Sequence, residues 1–276
     1  MIRFARHFIA VFLASLAIAM PARATTYSID LTDIWWAGPT EDGWGVTVSQ
    51  QGEVIFATFF IYGADRSARW FSAALFPVAS PAGLTVFSGD MFRSTGSFYG
   101  AANFTKDPAT KVGTVTMSFN SASTATLTYT IDGVSVTKQI LRQTFRNTNL
   151  TGDYTGGLVS NRTSCTNAAL NGFADVQGQL TVTHTDPSIV LQVGFTATDG
   201  SAGSCVFRGV YVPSGRLGTI SSGTWSCVAG NATVVQGVSF SMTNIDAQLN
   251  GFHGNFVATD QGQCLYNGRF GAVRNP

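Results

Sequence analysis

Glutamate, lysine and histidine are nearly missing from this 276-residue chain, and charge of either sign is sparse. Glu41 and Glu53 are its glutamates, Lys106, Lys111 and Lys138 its lysines, and charged residues make up only 11% of the whole, for a net charge of +1. A chain this close to neutral offers no electrostatic footprint to nucleic acid or to anionic lipid, so nucleic acid is not expected as a partner. With glutamate, lysine and leucine scarce, the good helix formers are lacking, and beyond the first two dozen residues no stretch repeats apolar positions at helical spacing. Glycine, threonine, serine, valine and phenylalanine remain, which are strand and turn residues. The fold class they imply is all-β: two consecutive antiparallel meander modules, each an up-and-down barrel or a sandwich, with little helix.

The recognisable catalytic signatures are missing too. The chain has no G-x-S-x-G elbow, no H-E-x-x-H and no glycine-rich phosphate loop, so no catalytic residue, cofactor or metal is assigned. A hydrolase assembled from distant serines would need a base, and beyond the leader only His184 and His253 could supply an imidazole. His184 closes a strand ahead of the turn Thr185-Asp186-Pro187-Ser188 and is expected to face solvent. His253 lies mid-strand in phase with Asn255, with no partner at ligand spacing. Glu41 and Asp42 stand among Trp35, Trp36 and Trp44, but adjacent residues point apart and cannot face each other across a sugar.

The first residues read as a leader. Arg3, Arg6 and His7 are followed by the apolar run 8–20 and by Ala22-Arg23-Ala24, the layout of a secretory signal peptide cut after residue 24. The run is shorter than the ~20 apolar residues a spanning helix needs. Cleavage would remove three of the sixteen basic residues, leaving 13 against 15 acidic ones and a formal charge of −2. The expected destination is secreted or periplasmic, not membrane-spanning once the leader is gone.

Two modules are expected after it. Residues 25–146 hold no cysteine and four of the five tryptophans, whereas 150–276 hold all four cysteines. In the first, Trp44, Val46 and Val48 alternate with smaller residues, and strands are read near 54–62, 68–76, 83–92, 97–105, 111–119, 123–131 and 134–145. In the second they fall near 152–160, 175–184, 188–197, 203–212, 217–228, 233–242, 245–258 and 264–273. Glycines beside aromatics recur there (Gly209 with Tyr211, Gly254 with Phe256, Gly268 with Phe270), as if the ring lay over the glycine.

Cys165, Cys205, Cys227 and Cys264 are an even set in an exported chain and imply two disulfides rather than zinc, since no C-x2–4-C spacing occurs. A meander would put all four on one rim. Neighbouring strands then favour Cys205–Cys227, with Cys165–Cys264 joining first strand to last.

Two consecutive tryptophans in a strand cannot share one face. Trp35 and Trp36 are therefore the candidate ligand-binding residues, with at least one expected to be accessible or to pack on the second module. Trp44 and Trp70 lie in apolar stripes and are expected in the core.

Ile34-Trp35-Trp36, Gly43-Trp44-Gly45-Val46, Gln50-Gln51-Gly52, Phe56-Ala57-Thr58-Phe59-Phe60-Ile61-Tyr62, Ala64-Asp65 and Trp70 stand in order. This series resembles a family of secreted proteobacterial proteins with the pattern W-W, G-W-G, Q-x-G, F-A-T-W-F-x-Y-x-A-D and a four-cysteine C-terminal module. Phe59 stands where that pattern often has tryptophan. The resemblance implies export and the all-β class, and no activity. The functional expectation is an exported, non-catalytic binding protein for a small apolar or sugar-like ligand or a cell-surface partner; the alternative is an extracellular hydrolase of polymers.

Overall fold

The computed structural model describes residues 30–276 except 82, 83, 106, 146, 198, 231, 262 and 263; the expected leader, residues 1–24, lies outside the described residues. Eight antiparallel strands close into a first barrel: β1 (Asp33–Trp36), β2 (Gly45–Gln51), β3 (Val54–Tyr62), β4 (Ala68–Pro77), β5 (Thr85–Arg93), β6 (Thr110–Phe119), β7 (Thr124–Ile131) and β8 (Val134–Arg142). Each strand pairs with the next, and β8 returns to β1 through Trp35↔Arg142 and Trp36↔Leu141. A second barrel follows: β9 (Gly152–Thr163), β10 (Gly172–Thr185), β11 (Ser188–Thr196), β12 (Ala202–Val210), β14 (Leu217–Ala229), β15 (Ala232–Gln248), β16 (Gly251–Thr259) and β17 (Leu265–Arg274). Here β12 pairs directly with β14 and β17 with β9, while the three-residue β13 (Val212–Ser214) extends the edge of β14. Both modules are thus closed meanders rather than sandwiches, and closure leaves no free sheet edge around either barrel.

Alternation along the strands fills each interior with side chains. In barrel one, Val46, Val48, Ile55, Ala57, Phe59, Phe71, Ala73, Leu75, Met91, Met117 and Leu127 point inward and are buried together. In barrel two the interior is more aromatic: Phe207 stacks on Trp225 at 5.4 Å and meets Phe240, Phe256 and Phe270 edge-on. The turn Asp132-Gly133 between β7 and β8 has φ of 48° and 84°, the two positive values that a two-residue hairpin with the native twist requires.

Up-and-down order gives each barrel two unlike rims. The near rim of barrel one, with Asp30, Asp33 and Thr144, meets the β13–β14 turn of barrel two. Gly215 N donates to Thr144 Oγ1 at 2.7 Å and Arg216 N to the Asp33 carboxylate at 2.9 Å. Only glycine fits at 215: its φ is 59°, and a Cβ there would lie 2.2 Å from Asp33 Oδ2. The Arg216 guanidinium adds contacts to Asp30 at 3.0 Å and Asp246 at 3.3 Å.

Five expectations about the fold need correction. Residues 97–105 are not a strand: a turn closes at Ala101 N to Phe98 O (2.9 Å), and Ser97 Oγ accepts from Thr105 N, so 94–109 is a long connection. The break expected at 242–245 is a register irregularity inside β15, with Asn244 at φ 53°. Trp70 is 53% exposed, because β4 buries Phe71, Ala73 and Leu75 while Trp70, Ala74 and Phe76 face outward. Trp44 precedes β2 and is half-buried at the rim, packed against the core rather than inside it. The rings that cover glycines in barrel two come from neighbouring strands, Phe195 over Gly203 and Phe240 over Gly223.

Candidate functional site

The far rim of barrel one carries the turns after β1, β3, β5 and β7, and its mouth encloses a cavity of about 640 Å³. Ends of five strands, β3, β4, β5, β7 and β8, make it. Phe71 and Tyr129 form the floor, with Tyr129 edge-on to Phe59 at 5.7 Å, and Ile61, Ile131, Val134 and Val136 supply apolar walls. Burial pushes the Tyr129 phenol above its ordinary pKa; Lys138 opposes that shift and Glu41 adds to it.

Charge sits around this apolar bowl in matched pairs. Arg93 bonds Asp132 across the rim, with its guanidinium 5.8 Å from the Phe71 ring centre. Arg69 reaches Asp65 at 3.0 Å. Lys138 holds both oxygens of Glu41, at 2.9 and 2.7 Å, and Trp44 Nε1 donates to the same carboxylate at 3.1 Å. The Lys138 and Trp44 hydrogen bonds keep the Glu41 carboxyl below its ordinary value, and those from the Ser67 hydroxyl and N–H do the same for Asp65. Both therefore stay ionised near neutral pH, a state that accepts hydrogen bonds and gives up no proton.

The expected site residues are dispersed. Trp35 is 0% exposed and lies inside barrel one, edge-on to Phe119 at 5.2 Å, with Nε1 donating to Leu31 O at 3.0 Å. Alternation turned it inward, so it has no surface to offer a ligand. Trp36 faces the other way and is half-buried, its Nε1 enclosed without a hydrogen-bond partner. The cysteines pair Cys165–Cys264 and Cys205–Cys227, both toward the far rim of barrel two. His184, expected in solvent, is only 4% exposed: Nδ1 accepts from Leu150 N at 3.2 Å and the ring lies edge-on to Tyr211, because the linker folds back over the end of β10. His253 is exposed and borders a small cleft with Asp30, Arg216, Asp246 and Arg269. Among the described residues no three of histidine, cysteine, aspartate and glutamate cluster as metal ligands.

Phe71, Arg93, Tyr129, Asp132 and Lys138 escaped the sequence reading because they come from four strands and carry no local motif. The signal that could have found them is topological: in a meander, every second turn lies on the same rim.

The fold and this mouth define the chain as a double eight-stranded barrel protein with an open apolar bowl. Comparison with protein-family models, with curated proteins and with solved structures finds no match.

Proposed function

We propose that barrel one is an exported, non-catalytic binding module that takes a small, partly apolar ligand in its far mouth. The observation that carries this reading is the cavity of about 640 Å³, floored by Phe71 and Tyr129 and ringed by Arg69, Arg93 and Asp132. Its size and its apolar lining with a few convergent polar groups are those of small-molecule sites, which run from about 300 to 1,000 Å³. The connection 94–109 starts from the same rim and exposes Phe98, Tyr99 and Phe104, aromatic surface that a ligand in the mouth could meet. Long connections inside compact folds are commonly binding loops. A sugar-like ligand would stack an apolar ring face on these rings and present hydroxyls to the charged pairs.

A glycan and metabolite array on the chain, read by tryptophan fluorescence through Trp44 beside the mouth, tests the reading. Val136→Trp, which fills the bowl, should abolish any hit while leaving the fold intact by circular dichroism. A hit that survives Val136→Trp would place the ligand elsewhere and overturn the assignment to this mouth.

A further inference from the structure

A second cavity, of about 540 Å³, opens at the far rim of barrel two. Leu158, Val176, Phe195, Trp225 and the Cys205–Cys227 disulfide line it. Arg162 also belongs to the lining, and it follows Leu158 and Ser160 at every second position of β9, so it shares their inward face. None of the ion pairs among the described residues uses Arg162. Its Nε is buried without a hydrogen-bond partner, and the group it does reach is the Tyr266 hydroxyl.

The nearby carboxylates are already engaged. Asp260 accepts from Cys264 N at 3.0 Å and from the Tyr266 hydroxyl at 2.8 Å. Asp175 is exposed and accepts from Gln177 Nε2 at 3.0 Å. A guanidinium with an enclosed, unused donor is unfavourable until an acceptor meets it, and its planar fork matches a carboxylate or sulfate.

We propose that the mouth of barrel two binds an amphiphilic organic anion, its acidic head on Arg162 and its apolar body against Phe195, Trp225 and the disulfide. The site is separate from the mouth of barrel one, and its test does not depend on that reading. Loss of one charge-assisted hydrogen bond in such a setting lowers affinity by about ten- to a hundredfold.

Dodecanoate, naphthalene-2-sulfonate and uncharged dodecanol are titrated into the disulfide-bonded chain by calorimetry. At least one of the anions should bind, and dodecanoate about tenfold or more tighter than dodecanol. Arg162→Gln should erase that preference and Arg162→Lys should keep most of it. Val176→Trp, which fills the cavity and leaves Arg162 in place, should remove binding, whereas Val136→Trp in barrel one should not. The proposal is overturned if neither anion binds, if Arg162→Gln binds dodecanoate as tightly as the parent, or if Val136→Trp alone abolishes binding.

Discussion

Trp35 is the largest fully buried side chain among the described residues, with the Arg142 guanidinium 5.0 Å from its ring centre. Arg142 is itself enclosed, paired with Asp33 at 3.0 Å and donating to the Asp30 and Thr32 carbonyls, so the ring is clamped from above as well as from the sides. Trp35→Ala should therefore cost ~3–5 kcal/mol as an unfilled core cavity. Trp70→Ala, at an outward position, should stay within ~0.5 kcal/mol. Denaturant unfolding of the two variants measures both, and equal losses would contradict this placement. Nothing local in the sequence separates the two residues: β4 is apolar on both faces, so its period of two carries no phase. His184 sets a pH effect at the same scale. Burial holds its imidazole below the ordinary value, with Asp186 opposing. The unfolded chain then takes up a proton, below about pH 6.5, that the folded chain refuses, so the penalty is absent above that pH and grows as pH falls. The Tm should drop between about pH 7.5 and 5.5, before ordinary carboxylates titrate, and His184→Gln should flatten that drop.

Among the strands, β9 and β17 carry a covalent tie in addition to their hydrogen bonds. Cys165–Cys264 closes a span of 99 residues across that seam, and Cys205–Cys227 a span of 22 across the β12–β14 pair. In the chain-entropy view these contribute ~4.7 and ~3.4 kcal/mol respectively by restricting the unfolded chain. Reduction and alkylation should lower the unfolding midpoint of barrel two and leave that of barrel one in place. Calorimetry with intact and reduced protein separates the two transitions, and a matching fall in both would mean that the barrels unfold as one unit. Strand existence was legible from alternation and turn residues wherever one face is polar, as in β2 and β10. It failed at 97–105, where Phe98, Tyr99 and Phe104 mimic a strand although Gly96, Gly100 and Pro108 break it.

At the scale of the molecule, the two barrels meet through the β13–β14 turn and hold their cavities on the rims away from that contact. The class, the two modules and the shared rim of the cysteines follow from composition and spacing. The mouths do not, because Phe71, Arg93, Tyr129 and Lys138 converge only after closure, and closure is a property of strand count and register that no short segment encodes. The seams have one further consequence. In each barrel the first and last strands are hydrogen-bonded neighbours running in opposite directions, so the polypeptide enters and leaves on one side: Asp33 and Arg142 on the near rim of barrel one, Gly152 and Arg274 on the matching rim of barrel two. Sequence order around each ring is therefore almost arbitrary to the geometry. Either barrel could be opened at an outer turn, joined across its seam and spliced into a loop of another protein, with its mouth still facing outward.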